Sequence, residues 1–213
     1  NPGTDLARSR RAVELAERFE MVYAAVGVHP NDAGEWNEAA ATELRELAAH
    51  PKVLAIGEIG LDYYWDKTKP ELQAEVFRAQ LDMAAELELP VVIHNREASQ
   101  DVIAILAAWQ KRLEAAGHPL AERPGVLHSF SGDAAMAQTA IQHHLYIGIT
   151  GPVTFKNAPE LQALVTETSL EHLLIETDSP FLTPHPHRGQ RNEPAYVALV
   201  AEKIAELKGL DVE

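Results

Sequence analysis

Five apolar runs of this sequence carry, at or near their ends, side chains that can do chemistry. They are His29 after "VYAAVGV", Glu58 within "VLAIGEIGL", His94 closing "PVVIH", His128 in "GVLHSF" and Asp178 closing "HLLIETD". A carboxylate inside such a run is costly unless a cation neutralises it or the strand end is open. Glu58, Asp178, His94 and His128 together form a mixed oxygen and nitrogen donor set. Such a set suits zinc, manganese or iron, whereas magnesium takes imidazole less readily. A carboxylate can bridge two ions, and an ion pair can activate water and hold both the attacking and the leaving oxygen of a phosphodiester. Each signal alone has a plainer reading. A strand-end His is often a hydrogen-bonded rim residue, and a strand-end Glu or Asp often caps a helix or meets an arginine. Agreement over successive strand ends gives the set its weight.

Other residues carry less. His29 in "GVHP" either touches substrate or orients the turn before Pro30. Arg96 in "HNRE" either binds phosphate or pairs with Glu97. Arg188 and Arg191 in "PHPHRGQRNEP" lie in the loop after the last strand, where barrels often hold phosphate, a group that arginine suits. The plain alternative is a solvated polar loop. Tyr63, Tyr64 and Trp65 offer a stacking wall for bases or a cover for the mouth. His143, His144, His185 and His187 read as exposed histidines of loops and helix ends.

The elements that must position these residues alternate. Six short apolar runs (22–28, 53–61, 90–94, 125–130, 145–151 and 172–178) read as strands. Stripes at helical spacing separate most of them: Trp36, Ala40, Leu44 and Leu47; Leu72, Val76, Ala79, Met83 and Leu87; Val102, Ile105, Leu106 and Trp109. Thr68 with Glu71, Asn157 with Glu160, and Asn192 read as helix caps. Strand–helix alternation predicts a parallel sheet with helices outside. An open sheet gathers ligands at one crevice, whereas a barrel brings every strand's C-terminal end to one mouth. Five chemically able strand ends therefore favour an α/β fold of the TIM-type (β/α) barrel. Leu54, Ile56 and Glu58 are predicted to share the inward face, as are Val92 with His94, Val126 with His128, and Glu176 with Asp178. A full barrel has eight strands. Six are visible, so the first two are expected to lie before residue 1.

The chain has 213 residues, 46% hydrophobic and 23% charged, which suits a single domain with one sizeable core. That domain is read as incomplete at its N-terminus and, stopping soon after a helix, at its C-terminus. No run reaches membrane-spanning length, and the lack of cysteine excludes disulfides and thiolate metal sites. A cytoplasmic location fits. A net charge of −14 argues against a broad basic face gripping duplex DNA and leaves room for a small site supplied by metal ions and a few arginines.

"GVHP" (27–30), "GEIGLDYYWD" (57–66), "VIHNRE" (92–97), "HSFSG" (128–132), "YIGITGPVTFKN" (146–157), "ETDSPFL" (176–182) and "PHRGQRNEP" (186–194) resemble, in order, the motifs of the TatD-type metal-dependent deoxyribonucleases, amidohydrolase-like TIM barrels. The resemblance implies a metal-dependent hydrolase of DNA phosphodiesters, acting on single strands or ends, with two divalent ions (Zn, Mn or Mg). By motif, Glu58 bridges the ions, His94 and His128 hold one, and Asp178 binds the other and orients or deprotonates the attacking water. His29 and the arginine loop contact the scissile phosphate. One departure stands out. Family members begin with a strand bearing a His-x-His metal pair, but the first histidine here is His29, and the "HPH" at 185–187 lies in the last loop. Two alternatives remain at this stage: a small-molecule amidohydrolase or phosphoesterase on the same barrel, and a non-catalytic barrel fragment.

Overall fold

The structure is a computed structural model that describes residues 1–211. All six apolar runs form strands: β1 (Ala24–Val26), β2 (Val53–Asp62), β3 (Val91–Arg96), β4 (Gly125–Leu127), β5 (Tyr146–Ile149) and β6 (Leu173–Ile175). The helices are α1 (Leu6–Arg18), α2 (Glu38–Ala48), α3 (Pro70–Leu87), α4 (Ser99–Ala115), α5 (Ala134–Gln142), α6 (Pro159–Glu167) and α7 (Val197–Lys208). Over the described residues the chain divides into two compact units, 1–126 with 143–145, and 127–142 with 146–211.

In the first unit β1, β2 and β3 lie side by side and parallel, and Val91 N–H reaches the Pro124 carbonyl just before β4. Their apolar runs fill the core with Val26, Ile56, Ile59, Leu61 and Ile93. Helices cover them with Leu44 from α2, Phe77 and Leu81 from α3, and Leu106 from α4. This is the arrangement that βαβ crossovers impose on a parallel sheet. In the second unit β5 pairs with β6 in parallel, Ile147 opposite Leu173 and Ile149 opposite Ile175. Ile147, Ile149, Val153, Val165 and Val200 form its core. The helix α7 stops at Gly209, whose φ of 64° suits glycine at a helix end.

Several local expectations need correction. The pattern Leu54–Ile56–Glu58 does not hold as one inward row: Leu54 is 49% exposed, while every residue from Ile56 to Asp62 is buried. The pairing of β1 with β2 shifts register between Ala24 and Ala25, which face Val53 and Ala55 and leave Leu54 as the extra residue, and the pairing of β2 with β3 shifts again between Ile56 and Ile59; such shifts break the two-residue period. The last strand ends at Ile175 rather than running to 178, so Glu176 and Asp178 lie in the following loop, with Asp178 at φ 57°. Thr68 does not cap α3. Its hydroxyl donates to the Asn31 carbonyl, and Lys69 stands at the cap position without a side-chain bond. Ala158, not Asn157, precedes α6. Asn192 is buried and ties its own loop, its amide donating to the carbonyls of Thr177 and Phe181, while Tyr196 precedes α7. At Thr68 and Asn192 the capping residue type is present locally, but a partner farther off in the chain claims the group.

Candidate active site

In the first unit, strand ends bring His29, Glu58, Asp62 and His94 together. Glu58 and Asp62 both belong to β2, and Gly60 stands opposite His94 in the register of β2 with β3. Gly60 makes the approach possible: its φ is 142°, and a Cβ there would meet the His94 carbonyl oxygen at 2.0 Å. The His94 imidazole lies between two carboxylates, with Nδ1 2.8 Å from Glu58 Oε1 and Nε2 3.1 Å from Asp62 Oδ2. Burial disfavours its imidazolium, but hydrogen bonds to Asp62 and Glu58 outweigh that and raise its pKa to about 9. For Asp62 too, burial works against the charge. The bonds from His94 and from the Trp65 N–H prevail and hold its carboxyl at about 2.

His29 shows the opposite balance. Burial and the neighbouring His94 lower its pKa to about 4, against the pull of Glu58 and Asp62. Its Nδ1 accepts the Asn31 N–H at 3.1 Å. A neutral imidazole that accepts at Nδ1 carries its proton on Nε2. That Nε2 lies 3.9 Å from Glu58 Oε1. The bond to Asn31 N–H is the turn-orienting role expected of His29, and it also leaves an N–H donor aimed into the group.

Donor atoms of His29, Asp62 and His94 lie within 4.8 Å of one another, close enough for one ion. Two imidazoles and a carboxylate, with the Glu58 carboxylate also bonded to His94, are the donor chemistry that a divalent transition metal takes. A cation entering here would replace one of the two ring protons that His94 donates, one to Glu58 and one to Asp62. The tautomer of His29 suits proton donation better than ligation, so within this group His94, Asp62 and Glu58 fit the ion best.

Two buried glutamines of α3 hold the frame. Gln80 Oε1 accepts the Val28 N–H at 2.8 Å, and its Nε2 donates to the Val28 carbonyl at 2.9 Å, directly before His29. Gln73 does the same for Asp62, accepting its N–H at 2.8 Å and donating to its carbonyl at 2.9 Å. Sequence reasoning missed both, along with the role of Asp62. The available signal was two amides on the apolar face of α3, and a second carboxylate in the strand of Glu58.

The second unit repeats the theme. His128 follows β4, its Nδ1 3.0 Å from Glu176 Oε2 and its Nε2 3.5 Å from Asp178 Oδ1. The Ser129 N–H donates to the same Glu176 oxygen at 2.8 Å. Gly148 leaves the room: a Cβ there would lie 2.3 Å from Glu176 Oε2. Glu176 therefore orients His128 through Nδ1, as carboxylates do for metal-binding histidines, and leaves Nε2 facing Asp178. Arg188 is exposed, its guanidinium 4.1 Å from the centre of the Phe155 ring, and Arg191 is exposed beyond it. Arg96 does not pair with Glu97 as one reading had it; its guanidinium lies 3.8 Å over the Tyr64 ring. His144 and His185 are exposed, while His187 stacks on Tyr196 with ring centres 4.5 Å apart. Among the described residues, no helix is long and apolar enough to cross a membrane.

Comparison with known proteins agrees with this chemistry. The family model described as TatD related DNase matches residues 1–213. An uncharacterised metal-dependent hydrolase of Bacillus subtilis, YabD, is 48% identical over 211 residues, covering 99% of this chain and 79% of the relative. The Escherichia coli K12 protein named 3'-5' ssDNA/RNA exonuclease TatD is 39% identical over 215 residues, 98% of this chain and 79% of the relative. Among solved structures, the E. coli K12 TatD homologue YjjV superposes with a TM-score of 0.87 at 30% identity, covering 97% of this chain and 76% of that one. With its alternating parallel strands and helices of the TIM-barrel class, the chain is a metal-dependent hydrolase belonging to the TatD-related DNase family.

Proposed function

We propose that this protein hydrolyses DNA phosphodiester bonds, removing nucleotides from single-stranded ends in the cytoplasm, with residues 1–213 acting as one hydrolase domain. The observation that carries the reading is His94 held between the Glu58 and Asp62 carboxylates, a proton-loaded form of a cation site. Glu58, His94, His128 and Asp178 are the proposed metal ligands, joined by Asp62 for its place beside His94, and two divalent ions are the proposed complement. Bound ions would supply Lewis acidity at the phosphate and lower the pKa of the attacking water. The chain's own residues do the rest. His29, its tautomer fixed by the Asn31 N–H, donates from Nε2 to a phosphate oxygen. Asp178 orients the water and accepts its proton. Arg96, Arg188 and Arg191 pair with phosphates along the strand. The name of the E. coli relative supports both the single-stranded substrate and release from the 3′ end.

The test is hydrolysis of an end-labelled single-stranded oligonucleotide with Mn²⁺, Zn²⁺ or Mg²⁺ added, and with chelator. Stepwise loss from the 3′ end, abolished by chelation, is expected. Glu58→Gln and Asp178→Asn should each lower the rate at least about 100-fold. Undiminished rates in both variants would overturn the assignment. Turnover of amides or lactones with intact oligonucleotide would replace it with the amidohydrolase reading.

A further inference from the structure

The loop after β2 carries three aromatic residues, and the structure separates their roles. Tyr63 is tied down, its hydroxyl donating to Asp101 Oδ2 at 2.7 Å on α4. Tyr64 and Trp65 are instead 49% and 48% exposed. Their rings meet edge to face at 90°, with centres 4.8 Å apart. The Arg96 guanidinium lies in the corner between them, 3.8 Å from the Tyr64 ring centre and 5.6 Å from that of Trp65. Among the described residues, a half-exposed ring beside a cation recurs at Phe19 and Tyr23, but only Arg96 reaches two rings. Tyr64 and Trp65 are not loosely placed. Asp62 Oδ1 accepts the N–H of Tyr64 at 3.0 Å and of Trp65 at 3.2 Å. The other oxygen, Oδ2, takes the Asn31 amide and faces His94 Nε2. One carboxylate thus fixes both the aromatic pair and the candidate metal group.

We propose that Tyr64, Trp65 and Arg96 form a nucleotide subsite for single-stranded nucleic acid, the base stacking on the exposed rings and Arg96 meeting the adjoining phosphate. This deepens the nuclease reading and rests on it for the choice of ligand. Every base has a π-face, so such a platform accepts any sequence. In a chain of net charge −14, a guanidinium held on two aromatic rings is a local positive point that matches a phosphate. Arg96 fills the corner between the rings and is thereby pre-oriented.

The test is equilibrium binding of a phosphorothioate oligo(dT) to the metal-loaded protein, beside the same strand made abasic at its 3′ end. Wild type should bind the base-bearing strand about tenfold more tightly. Tyr64→Ala and Trp65→Ala should each weaken oligo(dT) binding about tenfold and erase that distinction, whereas Trp65→Phe should keep it. Equal binding of the two strands by wild type, or unchanged affinity in both alanine variants, would overturn the subsite. Metal-dependent hydrolysis of bis(p-nitrophenyl) phosphate by wild type is measured alongside. Base-dependent binding without that hydrolysis overturns the nuclease reading and leaves the subsite standing; hydrolysis with base-independent binding does the reverse.

Discussion

His29 and His94 have ring centres 4.3 Å apart, yet their protons answer to opposite surroundings. The pKa of His94 is raised to about 9 because its two carboxylate bonds outweigh its burial. Its contribution to stability is complete below the unfolded value near 6.5 and is lost as pH rises through 9. The pKa of His29 is lowered to about 4 by burial. The unfolded chain therefore takes up a proton from about pH 6.5 downward while the folded one does not, and stability falls between 6.5 and 4. Metal-free protein should resist urea best near pH 6.5, declining on either side by at most about 1.4 kcal/mol per pH unit. His94→Asn should flatten the alkaline limb. A level urea midpoint from pH 6.5 to 9 in the wild type would contradict the carboxylate clamp on His94. The sequence exposed Glu58, His94, His128 and Asp178 as candidates because their types stand out at the ends of apolar runs. Asp62 was within reach of the same reasoning. The tautomer of His29 was not, because it depends on where the Asn31 N–H points.

The positions of the elements, though not their ends, followed the apolar pattern where large side chains make it: β1, β4, β5 and β6 are all shorter than their runs. The strands are Val- and Ile-rich, and α2, α3 and α4 bury Leu44, Phe77 and Leu106. The face that α1 buries is Ser9, Ala12, Val13 and Ala16, and α5 buries Met136, Ala137 and Ala140. Small residues give little periodic signal, so neither helix was marked. The buried amides of α3 were hidden for a related reason. Glutamine reads as surface, although Gln73 and Gln80 are as buried as Leu81. Replacing Gln80 with Leu leaves the Val28 N–H and carbonyl without partners in the core. The expected loss is roughly 1–3 kcal/mol, read as a lower urea midpoint. Gly148→Ala should act on chemistry more than on folding. Its Cβ would displace the Glu176 carboxylate, so metal affinity should fall about 10- to 100-fold when the partner of His128 is lost. Unchanged affinity by isothermal titration would show that Glu176 does not orient that histidine.

At the scale of the molecule, a net charge of −14 sets the terms of binding. On the proposed function, attraction to nucleic acid must come from bound ions and from the arginines proposed to meet phosphates, Arg96, Arg188 and Arg191. Three phosphate contacts on a single strand correspond to a salt slope of about −2. Plots of log affinity against log salt should therefore be no steeper than that. A slope several times larger would mean a broad cationic face that this composition does not supply. The alternating architecture was legible at this scale because it needs only the order of runs. Division into two compact units was not, since it depends on which elements pack together.

The glutamine pair also governs time. Val28 and Asp62 border loops, where amide hydrogens ordinarily exchange with solvent quickly. Here each amide is bonded to a side chain buried under α3, so their hydrogens can leave only when the helix itself lifts. They should exchange at the pace of the central strands. On the proposed reading, a substrate then meets His29 on a backbone already held in place, and little of its binding energy goes into ordering it.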